Sequence, residues 1–333
     1  MKFHLTTEIP YLPNPITHAD PILLVGSCFT ENMGNYLRKY KFSVLDNPSG
    51  IMFNPVSVVN SLHRILQNKP VSETDLFYYL DCYHSWEYHS SFSDPSAAYC
   101  VKKINSATQV AHDFLSTSRV LIITLGSAWV CQLTDAAPGY QPEKVVANNH
   151  KGPSNWFEKK LFDSLAIIQL FSMLIDRLHA FNPALQIIFT VSPVRHLREG
   201  LVNNNRSKAI LIQAVHALAE KYQQVYYFPA YELVIDELRD YRFYAEDLVH
   251  PNYQATRYVW DKFVEYCLSE NAKNLLPDLH DILLAFQHRP LHPGTVQHQK
   301  FLQQYAEKTR SLQAQFPFLN LEAELLYFQT GSH

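Results

Sequence analysis

Short apolar runs along the chain alternate with longer stretches whose apolar residues recur at helical spacing. The runs fall at residues 21–25, 42–45, 119–125, 185–191 and 225–228. Runs of this length, apolar on both alternating faces, predict strands buried on both sides. Between them, Met33, Tyr36, Leu37 and Tyr40 line one face of a predicted helix over 31–40. Further helices are predicted over 57–66, with Asn54 placed to cap and Pro55 early, and over 106–115, 163–182 and 207–222. Strand and helix in alternation predict an α/β chain, a three-layer α/β/α sandwich around a mainly parallel sheet. Residues 71–105 interrupt the alternation with an aromatic, irregular insertion. Residues 128–133 read as a further strand and 138–150 as a loop. The α/β pattern ends near residue 274, and residues 275–333 read as a helical C-terminal extension.

Composition narrows the partners. Lys and Arg total 28 against 31 Asp and Glu, a formal net charge of −3. That balance leaves no electrostatic footprint for nucleic acid or an anionic membrane. Five Cys without a C-x-x-C pair predict neither a disulfide framework nor a structural zinc site. The N-terminus carries no apolar run of signal-peptide length, and no stretch reads as a membrane span. A soluble protein of a reducing compartment, the cytoplasm, is the expectation. The stripe Phe301, Leu302, Tyr305 and Leu312 is expected to pack on the main domain or, as a homodimer contact, on a second copy. The end of the chain, 324–331, also resembles a protease recognition sequence.

In open parallel sheets, function gathers beyond the carboxyl ends of the strands. Those ends hold Gly26-Ser27-Cys28, Asn47-Pro48-Ser49-Gly50, Gly126-Ser127-Ala128-Trp129 and Ser192-Pro193-Val194-Arg195-His196. Ser27 stands between a strand and a helix, where a nucleophilic hydroxyl finds helix N-terminal amides. Alone, such a Ser more often only caps its helix. Asp247-Leu248-Val249-His250 is the complementary piece: an Asp three residues before a His can hold one ring nitrogen and leave the other for a hydroxyl. The backbone N–H groups of Gly50, and of Gly126 with Ser127, are candidate oxyanion donors. Arg195 and His196 follow a strand end, and either read a substrate or serve the next helix. Asn148, His150 and Lys151 form a polar loop, a substrate-contacting lid or simply solvated. His84, Glu87 and His89 match no familiar metal spacing, so no metal site is expected.

These residues resemble a known family. Gly26-Ser27-Cys28-Phe29-Thr30, with Glu31 to Gly34 after it, resembles the signature of the GSCFA family, a branch of the SGNH/GDSL-type hydrolases. The stretches 47–55, 124–129, 145–151, 192–196 and 247–251 join the resemblance, which covers roughly residues 1–270. It implies an SGNH-hydrolase-like, flavodoxin-like fold and ester hydrolysis on an O-acylated small molecule or glycan. By that resemblance Ser27 attacks, His250 carries the proton, Asp247 orients His250, the backbone N–H groups of Ser27 and Gly50 bind the oxyanion, and no cofactor is needed. Substrate contacts are expected from Ser127, Trp129, His150, Lys151, Arg195 and His196. The chain departs from the pattern at Thr30, where the name motif has Ala, and at Asn149, where Cys is expected. It also lacks the Asn that usually follows the third-strand glycine, a place that Asn54 or Asn148 would have to fill. That gap keeps two other readings open: a non-catalytic binding protein on the same fold, and an O-acyltransferase using the same Ser and His.

Overall fold

A computed structural model describes residues 5–331. Its centre is a five-stranded sheet of β1 (Ile22–Gly26), β2 (Val44–Asp46), β5 (Val120–Leu125), β8 (Gln186–Val191) and β9 (Val225–Tyr227). The strand order is β2-β1-β5-β8-β9, and every pairing is parallel. Renumbered along the sheet this is 2-1-3-4-5, the flavodoxin-like doubly wound order, with its switch point between β1 and β5. The expected three-layer architecture is therefore present.

The alternation of side chains decides the layers. Ile22, Leu24, Ile122 and Ile188 face one side, where α1 (Cys28–Lys39) and α7 (Tyr253–Cys267) cover them. Leu23, Val25, Ile123, Phe189 and Val191 face the other, under α2 (Pro55–Gln67), α4 (Ser164–Phe181) and α5 (Gly200–Lys221). Both faces are buried, which is why the strands read as continuous apolar runs. Asn54 caps α2 through Ser57 N–H at 2.9 Å and Pro55 opens it. Asp163 caps α4 through Ala166 N–H in the same way. Among the described residues α4 alone is long and apolar enough to cross a membrane, although the sequence reading found no such stretch. Its stripe Ile167, Phe171, Leu174, Ile175 and Leu178 belongs to the core.

The insertion folds as a hairpin of β3 (Phe77–Tyr79) and β4 (Cys82–His84) with short 3-10 turns. It ends earlier than the sequence suggested, because α3 (Ala97–Thr117) begins at the capping Ser96. The first half of α3 closes the insertion's own core through Cys100 and Ile104. The second half joins the main core through Ala111 and Leu115. Residues 129–133 form β6 (Trp129–Leu133), paired antiparallel with β7 (Phe157–Leu161) outside the main sheet. After β9 a short turn, α6 (Ala230–Glu232), runs into a π-helical segment, Leu233–Leu238.

The extension contains α8 (Glu270–Gln287), α9 (Val296–Gln315) and α10 (Glu322–Thr330). Leu279, Ile282, Leu312 and Phe328 share one cluster with the α1 side of the sheet, and Phe301, Leu302 and Tyr305 pack against it. The apolar stripe of α9 is thus used within the chain. Glu324 of α10 is buried and ion-paired with Lys41 at 2.5 Å. The last residues described are therefore part of the fold, whatever their resemblance to a protease site.

Gly26, which ends β1, is the tightest point of the sheet. Its φ is +150°, and a Cβ there would stand 2.3 Å from Thr124 O on β5. Gly26→Ala should cost more than about 3 kcal/mol, since strain and a backbone clash add. Urea unfolding of the variant checks this; a midpoint close to wild type would show that β1 and β5 make room for the added Cβ.

Candidate active site

Ser27 leaves β1 in extended conformation and caps α1, its hydroxyl accepting from Phe29 N–H at 3.3 Å. It is 2 % exposed. Asp247 and His250 lie on the loop before α7. Asp247 Oδ1 accepts from the N–H groups of Val249 and His250 at 2.9 and 3.0 Å, and its Oδ2 meets His250 Nδ1 at 2.6 Å. The donors of His250 and Val249 hold the Asp247 carboxyl down to about 2. The carboxylate is charged at neutral pH and fixes the ring so that Nε2 is left for other partners. The His250 side chain is 51 % exposed. Among the described residues no hydrogen bond joins it to Ser27, whose hydroxyl keeps its contact with Phe29.

The oxyanion donors expected from the sequence need correction. Ser27 N–H donates to Thr124 O at 3.1 Å, Gly50 N–H to Asn47 O at 2.7 Å, and Gly126 N–H to Phe53 O at 2.8 Å. All three are committed to carbonyls by the strand-end turns, so they do not stand ready as a set of free donors. The amides of Asn54 and Asn148 differ. Each has its oxygen tied to a backbone N–H, of Ser57 and His150 respectively, and each lines the cleft described next. Their NH₂ ends remain as donors there.

A cleft of about 520 Å³ opens beside the loop. Phe53, Ser127, Trp129, Arg195, His196 and Val249 line it. Four of the expected substrate contacts therefore line one cleft, which meets the loop at Val249; Ser27, Asp247 and His250 are not among its lining residues. His150 and Lys151 are not among its lining residues. His150 is buried, with Nε2 on Ser85 O at 2.9 Å, and burial pushes it down to about 4. That is a neutral structural histidine packed against the insertion. The loop was misread because its positive-φ turn at His150 and Lys151 carries the ring inward. His84 and Glu87 are likewise occupied, His84 by Ser93 and Tyr79 O, Glu87 by Arg64 and Lys144. Among the described residues no group of three His, Cys, Asp or Glu is placed to hold a metal ion.

The insertion reaches the same edge. Gly50 has φ +82°, and a Cβ there would overlap His89 Cβ at 2.1 Å. His89 is thus seated on the second strand-end turn, and Glu31 of α1 acts on its ring.

Beneath the edge lies a residue the sequence reading missed. Lys208 of α5 is 1 % exposed, and its Nζ donates to Gly126 O and Ser192 O at 2.6 Å each. Ser207 Oγ, one residue before, accepts from Ala128 N–H at 2.7 Å, and Asn204 Oδ1 accepts from His196 N–H at 2.9 Å. A signal was present: Asn204, Ser207 and Lys208 continue the buried stripe of Leu211, Ala214, Val215 and Leu218 at helical spacing. A polar start to an apolar stripe marks a helix end buried against polar backbone. Burial pushes the His196 ring down to about 3, helped by the charges of Lys208, His250 and Arg198.

The fold and its edge define a doubly wound α/β protein with a polar cluster gathered at the carboxyl ends of β1, β5 and β8. The chain belongs to the GSCFA family, which it matches over residues 21–263. Residues 279–331 match the GSCFA domain protein, C-terminal domain. Among solved structures it is similar to a carbohydrate esterase family 3 from Talaromyces cellulolyticus, at 8 % identity and a TM-score of 0.31. That alignment covers 79 % of this chain and 99 % of the other. A search of curated proteins found no match.

Lys208 makes a pH prediction. Burial pulls its pKa from 10.5 to about 7. Between those values the unfolded chain binds a proton that the fold does not, so the term from Lys208 raises stability as pH rises. Over the full window it amounts to on the order of 4 kcal/mol. Urea midpoints of wild type and Lys208→Met from pH 7 to pH 10 should therefore diverge, with the wild type gaining on the variant. Parallel curves would show that Lys208 does not titrate there.

Proposed function

We propose that this protein is a serine-dependent ester hydrolase in which Ser27, Asp247 and His250 act together. The observation that carries the reading is the 2.6 Å contact between Asp247 Oδ2 and His250 Nδ1 on a loop at the sheet edge that Ser27 occupies. An imidazole oriented by a charged carboxylate is a general base in search of a hydroxyl, and Ser27 is the strand-end hydroxyl of the family's name motif. In the reaction Ser27 Oγ attacks the ester carbonyl while His250 takes its proton. The protonated imidazole then delivers that proton to the departing alkoxide. Water, activated by the same ring, releases the acid and restores Ser27. Proton transfer requires the ring and the hydroxyl within about 3 Å, a contact that often tightens only with substrate bound. Asn54 or Asn148 supplies the oxyanion donor in place of the missing Asn; one such donor is commonly worth about 10²–10³ in rate.

The committed N–H groups of Ser27, Gly50 and Gly126 favour a second reading, a binding protein that keeps the fold without turnover. A fluorophosphonate probe separates the two. Under the hydrolase reading Ser27 is labelled, Ser27→Ala abolishes labelling, and His250→Ala slows it by at least about 10³. A folded wild-type protein that stays unlabelled supports the binding reading. Acyl transfer shares the labelling and is told apart by the product formed when an acceptor alcohol is supplied with an acyl donor.

A further inference from the structure

The cleft's charge says what its ligand carries. Its volume suits a monosaccharide-sized ligand. Four formally charged side chains line it: Lys159, Arg195, Arg198 and Glu199. Glu199, the only acid among them, is ion-paired with Lys159, so those two cancel. Arg195 and Arg198 have no carboxylate partner among the described residues. Arg195 is held in place rather than solvated. Its Nη1 donates to Leu248 O at 3.1 Å, and its guanidinium lies 4.0 Å from the Tyr244 ring centroid and 5.0 Å from that of Tyr241. Those contacts fix the plane and use one N–H, leaving the rest of the fork for a ligand. Trp129 adds an apolar ring face, its indole N–H turned away to Asn203 O at 3.4 Å. A neutral sugar ester gains nothing from this field. An anion gains one guanidinium already held in place, Arg195, and a second, Arg198, on the same cleft.

We propose that the substrate is an O-acylated sugar bearing an anionic group, a carboxylate or a phosphate, bound by Arg195 and Arg198. This assignment rests on the ester-hydrolase reading above, and it names what distinguishes the true substrate from a generic ester. The anion sits on the alcohol portion, so it remains with the product after the acyl group is lost to water.

The test uses the full chain and three mono-O-acetylated probes: glucose, glucuronic acid and glucose 6-phosphate. The expected result is a kcat/KM at least about tenfold higher for one of the charged sugars than for the glucose ester, as charge-assisted hydrogen bonds to a guanidinium warrant. The advantage should shrink with added salt. Which charged sugar leads tells carboxylate from phosphate. Arg198→Glu should bring the charged-to-neutral ratio below one, and Arg195→Gln should lower it. Both readouts are ratios within one variant, so a loss of folded protein does not imitate them. Wild-type rates within about twofold for all three probes overturn the anion assignment and leave the hydrolase reading standing. Turnover of none of them, with Ser27 still labelled by the phosphonate, overturns the sugar assignment alone. No turnover and no labelling bring down both.

Discussion

The carboxyl edge of a parallel sheet carries carbonyls that the ladder no longer satisfies, and here two of them are buried. Lys208 resolves this by donating to Gly126 O beyond β5 and to Ser192 O beyond β8. An unpaired buried carbonyl costs about 1–3 kcal/mol, and an ammonium without acceptors costs more, so each side needs the other. The consequence reaches the surface. Ser207 and Asn204, on the same helix face, hold Ala128 N–H and His196 N–H. The ends of two strands and the start of α5 are therefore one rigid floor, and the cleft stands on it.

From that floor the loop carrying Asp247 and His250 is reached in one step. Arg195 donates its backbone N–H to Val249 O at 3.2 Å and its side chain to Leu248 O. Leu248 itself has φ +56°, a left-handed conformation that a non-glycine residue holds only when its surroundings support it. The carboxylate of Asp247 adds two more N–H bonds inside the loop. Although exposed, the imidazole is thus pinned by backbone contacts from the end of β8. Ser27 is pinned from the other direction, by β1 against β5 through Gly26. The two halves of the proposed machinery stand beyond the ends of β1 and β8, with β5 between them, and are fixed by separate constraints.

The layers were legible because burial on both faces leaves nothing but apolar runs, and such runs are visible without a structure. The Asp247–His250 pair was legible for a related reason, since a contact three residues apart needs no tertiary information. The oxyanion set was not. Whether Gly50 N–H points at a ligand or closes onto Asn47 O depends on a turn of a few residues and on His89, which arrives from the insertion. His150 and Trp129 show the same limit. Both were expected to touch substrate, yet His150 turns into the insertion's core while Trp129 lines the cleft, where β6 leaves the main sheet to pair with β7. The start of α5 was placed late because Asn203-Asn204-Asn205 breaks the apolar stripe. Those polar residues are the part of the helix that the site uses.

Charge gives the last step. The chain as a whole is slightly acidic, yet Arg195 and Arg198 line the cleft without a carboxylate partner among the described residues, and Glu199 is neutralised by Lys159. A local field opposite in sign to the net charge does not arise from composition; it requires positive groups brought to one edge from β7, the end of β8 and α5. Of these, only Lys208 has a structural duty that accounts for its charge. Arg195 needs its hydrogen bond to Leu248 O, which a neutral donor would also supply, and Arg198 makes no hydrogen bond or ion pair among the described residues. Two guanidinium groups facing an open cleft, beyond what the backbone requires, are explained by something that enters the cleft and carries the opposite sign.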